Sequence, residues 1–249
     1  MSIRLISLIA VLAAAQPALA QETGNGVEFR LGLGPKIAPE YFGSDGDRTS
    51  VTGTFEIERL QFGGYSIGGA KKNGLRFEGS LGYVRERDSS DYSELEGLDD
   101  IDASFELGGA VRYRQPAYDI FAKLRYGVTG HEALVGELGA DVIYRPTDQI
   151  TLRAGPRILW GSDDYADTFF GVSEEESAAS AFDSFEASSG VLRQGVRAEA
   201  AYQFNDDWGV VGSIQYDQLN DDAADSPITQ TEDQVTGSLV VTRKVTFGF

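Results

Sequence analysis

From Val27 onward the apolar residues of this chain recur at every second position, in segments too long for ordinary soluble strands. In the first segment Val27, Phe29, Leu31 and Leu33 alternate with Glu28, Arg30, Gly32 and Gly34. Farther on, Ile101, Ala103, Phe105, Leu107, Val111 and Tyr113 alternate with Asp102, Ser104, Glu106, Arg112 and Arg114. Residues 148–161 and 190–204 repeat the pattern. A helix with these spacings would scatter apolar groups around its axis, whereas a strand gathers them on one face. Soluble strands usually run about five or six residues, but a tilted strand crossing a bilayer needs about 9–11. Many segments here reach that length. Aromatics cluster near their ends (Tyr83, Tyr113, Tyr118, Tyr126, Tyr144, Trp160, Tyr202, Phe204, Trp208, Tyr216 and Phe247), as in the interfacial girdles of membrane barrels.

The N-terminus has a different grammar. Arg4, an apolar run from Leu5 to Ala15, and the small-x-small signal Ala18-Leu19-Ala20 predict a cleaved export signal over 1–20. A single domain over 21–249 should follow, with Gln21 first. The apolar run is too short for a spanning helix, and no later stretch reaches the roughly eighteen apolar residues such a helix requires. The chain carries 39 acidic and 21 basic residues, a formal charge of −18, and loss of Arg4 makes the mature protein one unit more negative. Such a surface repels phosphate, so no nucleic-acid partner is expected. With no cysteine there is no disulfide framework and no thiol chemistry. The slightly negative mean hydropathy, −0.23, is compatible with a barrel whose inward residues are polar.

Short and long connections alternate. Tight turns fall at Gln115-Pro116-Ala117, Arg145-Pro146-Thr147 and Asn205-Asp206-Asp207, while 87–100, 162–189 and 220–233 are long and acidic. That is the rule of short periplasmic turns and long outer loops. The prediction is an all-β chain, a transmembrane antiparallel β-barrel. Its candidate strands are 27–37, 50–58, 61–70, 74–86, 101–114, 117–129, 133–145, 148–161, 190–204, 207–220 and 234–249. An even number is expected. Merging 50–58 with 61–70 as one bent strand gives about ten; a strand hidden in a long loop would give twelve.

Alternation assigns Glu78, Glu106, Arg112, Arg125, Glu137, Asp141, Arg153, Arg157, Arg193, Arg197, Glu199 and Asp217 to the lumen. Both signs are well represented, so a narrow interior plugged by paired charges is favoured over a selective channel. The acidic loops lack the spacing of a calcium site and are expected to form a solvated, mutually repelling surface. Ser173-Glu174-Glu175-Glu176 is a capping box that predicts a short helix through Ala181, and the phenylalanines around it should fold into the mouth or dock a partner. His131, the single histidine, lies in a short connection and is read as a solvated loop residue, because no nucleophile motif accompanies it. No catalytic, metal or cofactor residues are assigned. In the last strand Val245, Phe247 and Phe249 share the lipid face and form a candidate assembly signal. Arg243 falls on that face too, which requires it to sit near the periplasmic interface.

Three stretches carry a family resemblance: 32–45 (GLGPKIAPEYFGSD), Asp164-Tyr165 with 169–173 (FFGVS), and 219–228 (LNDDAADSPI). Together they resemble the MipA/OmpV family, departing from it at Asn220, where a glycine is expected, and at Arg243–Lys244. The resemblance implies a cell outer membrane protein in contact with outer-membrane lipid. It implies a non-enzymatic scaffold that binds a lytic murein transglycosylase and a murein synthase, or alternatively a porin-like or adhesive barrel. It transfers no catalytic residue. N-terminal sequencing of protein recovered from the envelope should read from Gln21; retention of Met1 would refute the export signal.

Overall fold

A computed structural model describes residues 25–62, 65–68 and 73–248. The export signal and Phe249 lie outside the described residues. One sheet contains every strand: β1 (Gly26–Pro39), β2 (Asp47–Phe62), β3 (Tyr65–Gly68), β4 (Gly74–Val84), β5 (Ser104–Arg114), β6 (Tyr118–Gly127), β7 (Leu134–Tyr144), β8 (Ile150–Gly161), β9 (Gly190–Gln203), β10 (Trp208–Leu219) and β11 (Asp233–Gly248). Their order is β3-β2-β1-β11-β10-β9-β8-β7-β6-β5-β4, with antiparallel neighbours throughout. The chain is therefore all-β with an outer-membrane-type barrel fold.

The strand count resolves differently from the sequence reading. Segments 50–58 and 61–70 are not one bent strand. β2 continues through Glu58–Gln61 with a bulge at Glu58, and the chain reverses after Phe62, so that Arg59 pairs with Gly68 and Phe62 with Tyr65. Since β3 is antiparallel to β2 and β4 is antiparallel to β5, both β3 and β4 run toward the long loops. β3 pairs with β2 and β4 with β5, so the two stand at opposite ends of the sheet order, and no ladder joins β2 to β4 among the described residues. Among the described residues ten strands have ten or more residues, and the even number is kept. A second correction concerns 101–114: β5 begins at Ser104, and Ile101 belongs to the loop, bridged to Arg87.

The first and last strands pair from Gly26↔Gly248 to Ile37↔Gly237. Alternation within each strand then sets two faces. Phe55, Phe77, Leu81, Phe105, Leu107, Leu124, Leu138, Val142, Val196, Ile214, Leu239 and Phe247 are exposed on the outer face, a density of bare apolar side chains that suits hydrocarbon rather than water. Ten of the eleven end-of-strand aromatics are exposed as well, Tyr83, Tyr126, Trp160 and Tyr216 toward the loops and the others toward the turns. The eleventh, Trp208, is half-buried because Arg243 lies across it, 5.1 Å from the guanidinium carbon to the ring centre. Trp208 opens β10 straight after a tight turn and pairs in register with Arg243. Arg243, expected near an interface, thus sits at the turn end of the sheet.

On this geometry Phe29 stacks on Phe247 at 5.7 Å, across the junction of the two terminal strands. Changing Phe247 and Phe249 together to Asp should block assembly, because carboxylates on the lipid face must be dragged into the bilayer boundary. Thr246→Ser, on the neighbouring face, should be far milder. Heat-modifiable migration on unboiled gels reports the closed barrel, and normal assembly of the double-Asp protein would refute both register and signal.

Candidate functional site

The interior is a lattice of ion pairs. Each of the twelve charges assigned above to the lumen takes part in one. Arg112 bonds Glu78 at 3.2 Å, Arg125 bonds Glu106 at 2.6 Å and Glu137 at 3.5 Å, and Arg193 bonds Asp217 at 3.4 Å. Arg153 and Arg197 share Glu199 at 2.7 and 3.3 Å. Arg157 holds Asp141 with a single guanidinium nitrogen, 2.7 and 3.0 Å from the two carboxylate oxygens, and its other end donates to the Pro156 carbonyl. The pairing is built by the sheet: Arg153 and Glu199 are directly opposite across β8 and β9, as are Lys123 and Glu137 across β6 and β7.

Several members went unassigned in the sequence. Asp119 is buried and receives both Arg112, at 2.6 Å, and Arg114, at 2.9 Å. Lys123 bonds Glu137 at 3.1 Å. The signal for both was present, since period two carries Arg125 through Lys123 to Asp119. Nearer β1, Arg30 pairs with Glu58 and Arg59 with Glu28. A ring stands among these charges: Phe121 points inward with Lys123, Arg112 and Arg157 all within 5.2 Å of its centre. The space left is a cavity of about 370 Å³, lined by β2 and by β4–β9. Pairs inside a narrow lumen lose less to solvent than surface pairs do, but each charge depends on its partner.

Above the lumen the long loops close the mouth with the hydrophobic core of this protein. Helix α1 (Asp163–Phe170) places Tyr165, Ala166, Phe169 and Phe170 against the loop ends of β7–β10, where Val135, Leu159, Leu192 and Leu219 point inward. Ser162 caps it, accepting from the Tyr165 N–H. A second cluster joins Tyr41, Tyr92, Leu95, Leu98, Val172 and Ile228. Full burial of a side chain the size of Phe170 contributes about 1.5–3 kcal/mol. The helix expected after Ser173 forms as α2 (Glu174–Ala179) with both halves of its capping box present. A third, α3 (Asp221–Asp225), packs beside α1 and β9.

The acidic loops are not simply a repelling surface. Their carboxylates accept the loop amides that no ladder satisfies: Asp88 from Ser90, Asp100 from Ser89, Asp163 from Ser189, Asp222 from Ser188, and Glu176 from Asp99 and Ser173. Carboxylates that accept amides are stabilised in their charged form. The Ser89 amide holds the Asp100 carboxyl below its ordinary range, and Ser189 does the same for Asp163. Burial opposes the charge on Glu176, yet the Asp99 and Ser173 amides outweigh it and the pKa is lowered. Lowered values stabilise the plug fully above the ordinary carboxylate range, a contribution lost only as pH falls through the depressed values.

His131 corrects a further expectation. It is not solvated: its side chain is fully buried, because the loop carrying it folds under α1. Nδ1 accepts the Ala133 N–H at 3.1 Å and Nε2 faces Glu106 at 3.2 Å. Both ring nitrogens have hydrogen-bond partners within the protein. Among the described residues no group of three or more His, Asp or Glu is placed to hold a metal ion.

The lattice implies that half a pair is worse than none. Asp141→Ala, which strands the buried Arg157, should cost about 3–5 kcal/mol, whereas losing Asp91 from its exposed 3.9 Å contact with Arg48 should cost under about 1 kcal/mol. The temperature at which the barrel loses its fast gel mobility measures both, and equal shifts would refute the distinction.

Known proteins match this chain at two levels. Among solved structures, an outer membrane channel from Pseudomonas putida F1 aligns at 12% identity, covering 92% of this chain and 99% of that one with a TM-score of 0.47. The translocator domain of the autotransporter NalP from Neisseria meningitidis aligns at 12% identity, covering 96% and 93%, with a TM-score of 0.39. Among curated proteins, the MltA-interacting proteins of Escherichia coli K12 and Shigella flexneri are each 26% identical over 152 residues, 59% of this chain. The match spans 58% of the relatives' own length. The family model for MltA-interacting protein MipA matches residues 31–245, from β1 to β11, and the chain belongs to that family.

Proposed function

We propose that this protein is an outer-membrane barrel, exported by cleavage after Ala20, whose single domain (21–249) serves as a non-enzymatic anchor or scaffold for peptidoglycan-remodelling enzymes. The observation that carries the reading is the closed mouth: all the long loops contribute to an apolar core seated on the strand ends, above a lumen of paired charges. A barrel occupied in this way suits a fixed platform better than a conduit. The relatives are named for interacting with MltA, which supports a lytic murein transglycosylase as the partner on the periplasmic side, with a murein synthase as a second. The occupied nitrogens of His131 favour a non-enzymatic role. The bare outer face supports outer-membrane lipid as its surroundings.

A narrow solute channel is the second reading, favoured by the cavity of about 370 Å³. Two measurements separate them. Crosslinking in native envelopes with this chain as bait should recover a murein transglycosylase, and planar bilayers at neutral pH should show little or no steady conductance. A stable open conductance with no murein enzyme recovered would overturn the scaffold and make Arg153 and Arg157 candidates for tuning ion selectivity.

A further inference from the structure

His131 stands where the plug meets the barrel wall, and its surroundings accommodate one protonation state. Because Nδ1 accepts the Ala133 N–H, the ring proton resides on Nε2 and points to Glu106. The other oxygen of Glu106 is taken by Arg125 at 2.6 Å. Tyr165 and Phe169 of α1 meet the ring edge-on at 4.9 and 5.7 Å. Beneath it lies Gly127, where any Cβ would collide with the imidazole. The titratable and charged groups facing the ring are Glu106 of β5, with Arg125 of β6 behind it, and Tyr165 of α1, with Arg193 of β9 near enough to act on that phenol.

The turn holding His131 is strained. Gly130 and Glu132, on either side, have φ of +69° and +43°. A non-glycine residue in the left-handed region persists only where its surroundings over-determine it. Here the restraints are the Ala133 bond to the ring and the bond from the His131 N–H to Ser104 Oγ, 2.9 Å.

The geometry points to an acid-sensitive latch: a second proton on His131 sets Nδ1–H against the Ala133 N–H and releases the turn 128–133, and α1 with it, from the mouth of the barrel. Two donors then face each other where a bond had been. Glu106 cannot relieve the conflict, because it lies on the Nε2 side of the ring. The imidazole must move, and Tyr165 and Phe169, packed edge-on against it, lose their seat. Histidine is the side chain whose ordinary titration falls between about pH 5 and 8. Asp100, Asp163 and Glu176, with lowered pKa values, remain ionised through that window, so their loop contacts do not confound the event.

The test uses the folded full-length protein in detergent, at about pH 7.5 and about pH 5. As the chain's one histidine, His131 gives an unambiguous ring-nitrogen NMR signal. In parallel, hydrogen exchange, corrected for intrinsic rates, reports residues 163–170 and the Ala133 amide. Protection there should fall by about tenfold or more at the lower pH, together with loss of the Nε2–H tautomer. His131→Asn places a non-titrating acceptor near the position of Nδ1 and should keep its protection at both pH values. Glu106→Gln removes the countercharge for an imidazolium and should push the transition to lower pH. Unchanged protection around a charged ring, a ring that stays neutral to about pH 5, or an equal loss in His131→Asn each overturns the latch. Should neither variant fold, the wild type decides alone: ring titration and exchange must share one midpoint, and separate midpoints refute the coupling.

Discussion

In hydrocarbon there is no water to satisfy a backbone N–H or C=O, and every such group in a spanning segment must find its partner within the protein. The rest of this structure depends on that constraint. It excludes lone strands, and the strands among the described residues all lie in one antiparallel sheet. It brings the first and last strands together residue for residue, from Gly26↔Gly248 onward. Once the backbone is committed to the sheet, the side chains have only two faces to occupy, and what lies beyond each face decides their chemistry.

The outer face carries exposed apolar side chains such as Phe77, Leu81 and Val142, which make little protein contact. The inner face is a narrow space in which charges meet across neighbouring strands, and pairs such as Arg153–Glu199 and Lys123–Glu137 follow from ladder register. Neither face can use the hydrophobic effect as a soluble domain does, since lipid tails are already apolar and the lumen is already polar. Water is met at the loop end, and there a conventional core forms. Tyr165 and Phe170 are buried as deeply as residues in a soluble interior. The plug is thus a small soluble-type assembly seated on the strand ends of the barrel, held by apolar burial and by carboxylates that accept loop amides.

His131 joins the two regimes. Its backbone belongs to a loop, its ring touches α1, and its Nε2 reaches the lumen lattice through Glu106 and Arg125. A group so placed couples the order of the plug to the charge state of the barrel interior. A solvated histidine in the same loop could not.

Much of this was legible in the sequence because a strand's period of two is local. Val27 through Leu33, or Val196 through Tyr202, declare their faces without knowledge of their neighbours, and the twelve charges assigned by alternation all stand in ion pairs; Leu192, which alternation sets on the face of Val196, is instead turned into the core by a bulge opposite Leu159 and Trp160. The capping box at Ser173 was readable for the same reason, its two bonds spanning three residues. What the sequence could not decide are contacts between segments far apart in the chain. The separation of β3 from β4 depends on which neighbour each pairs with, β2 for one and β5 for the other. The burial of His131 depends on a helix some thirty residues away folding over it, in a loop whose abundant acids resemble a solvated surface. Period and composition determined the faces of the strands; closure of the mouth, and the partners of its buried groups, were decided by tertiary packing, because apolar burial in water is non-directional and leaves no local signature.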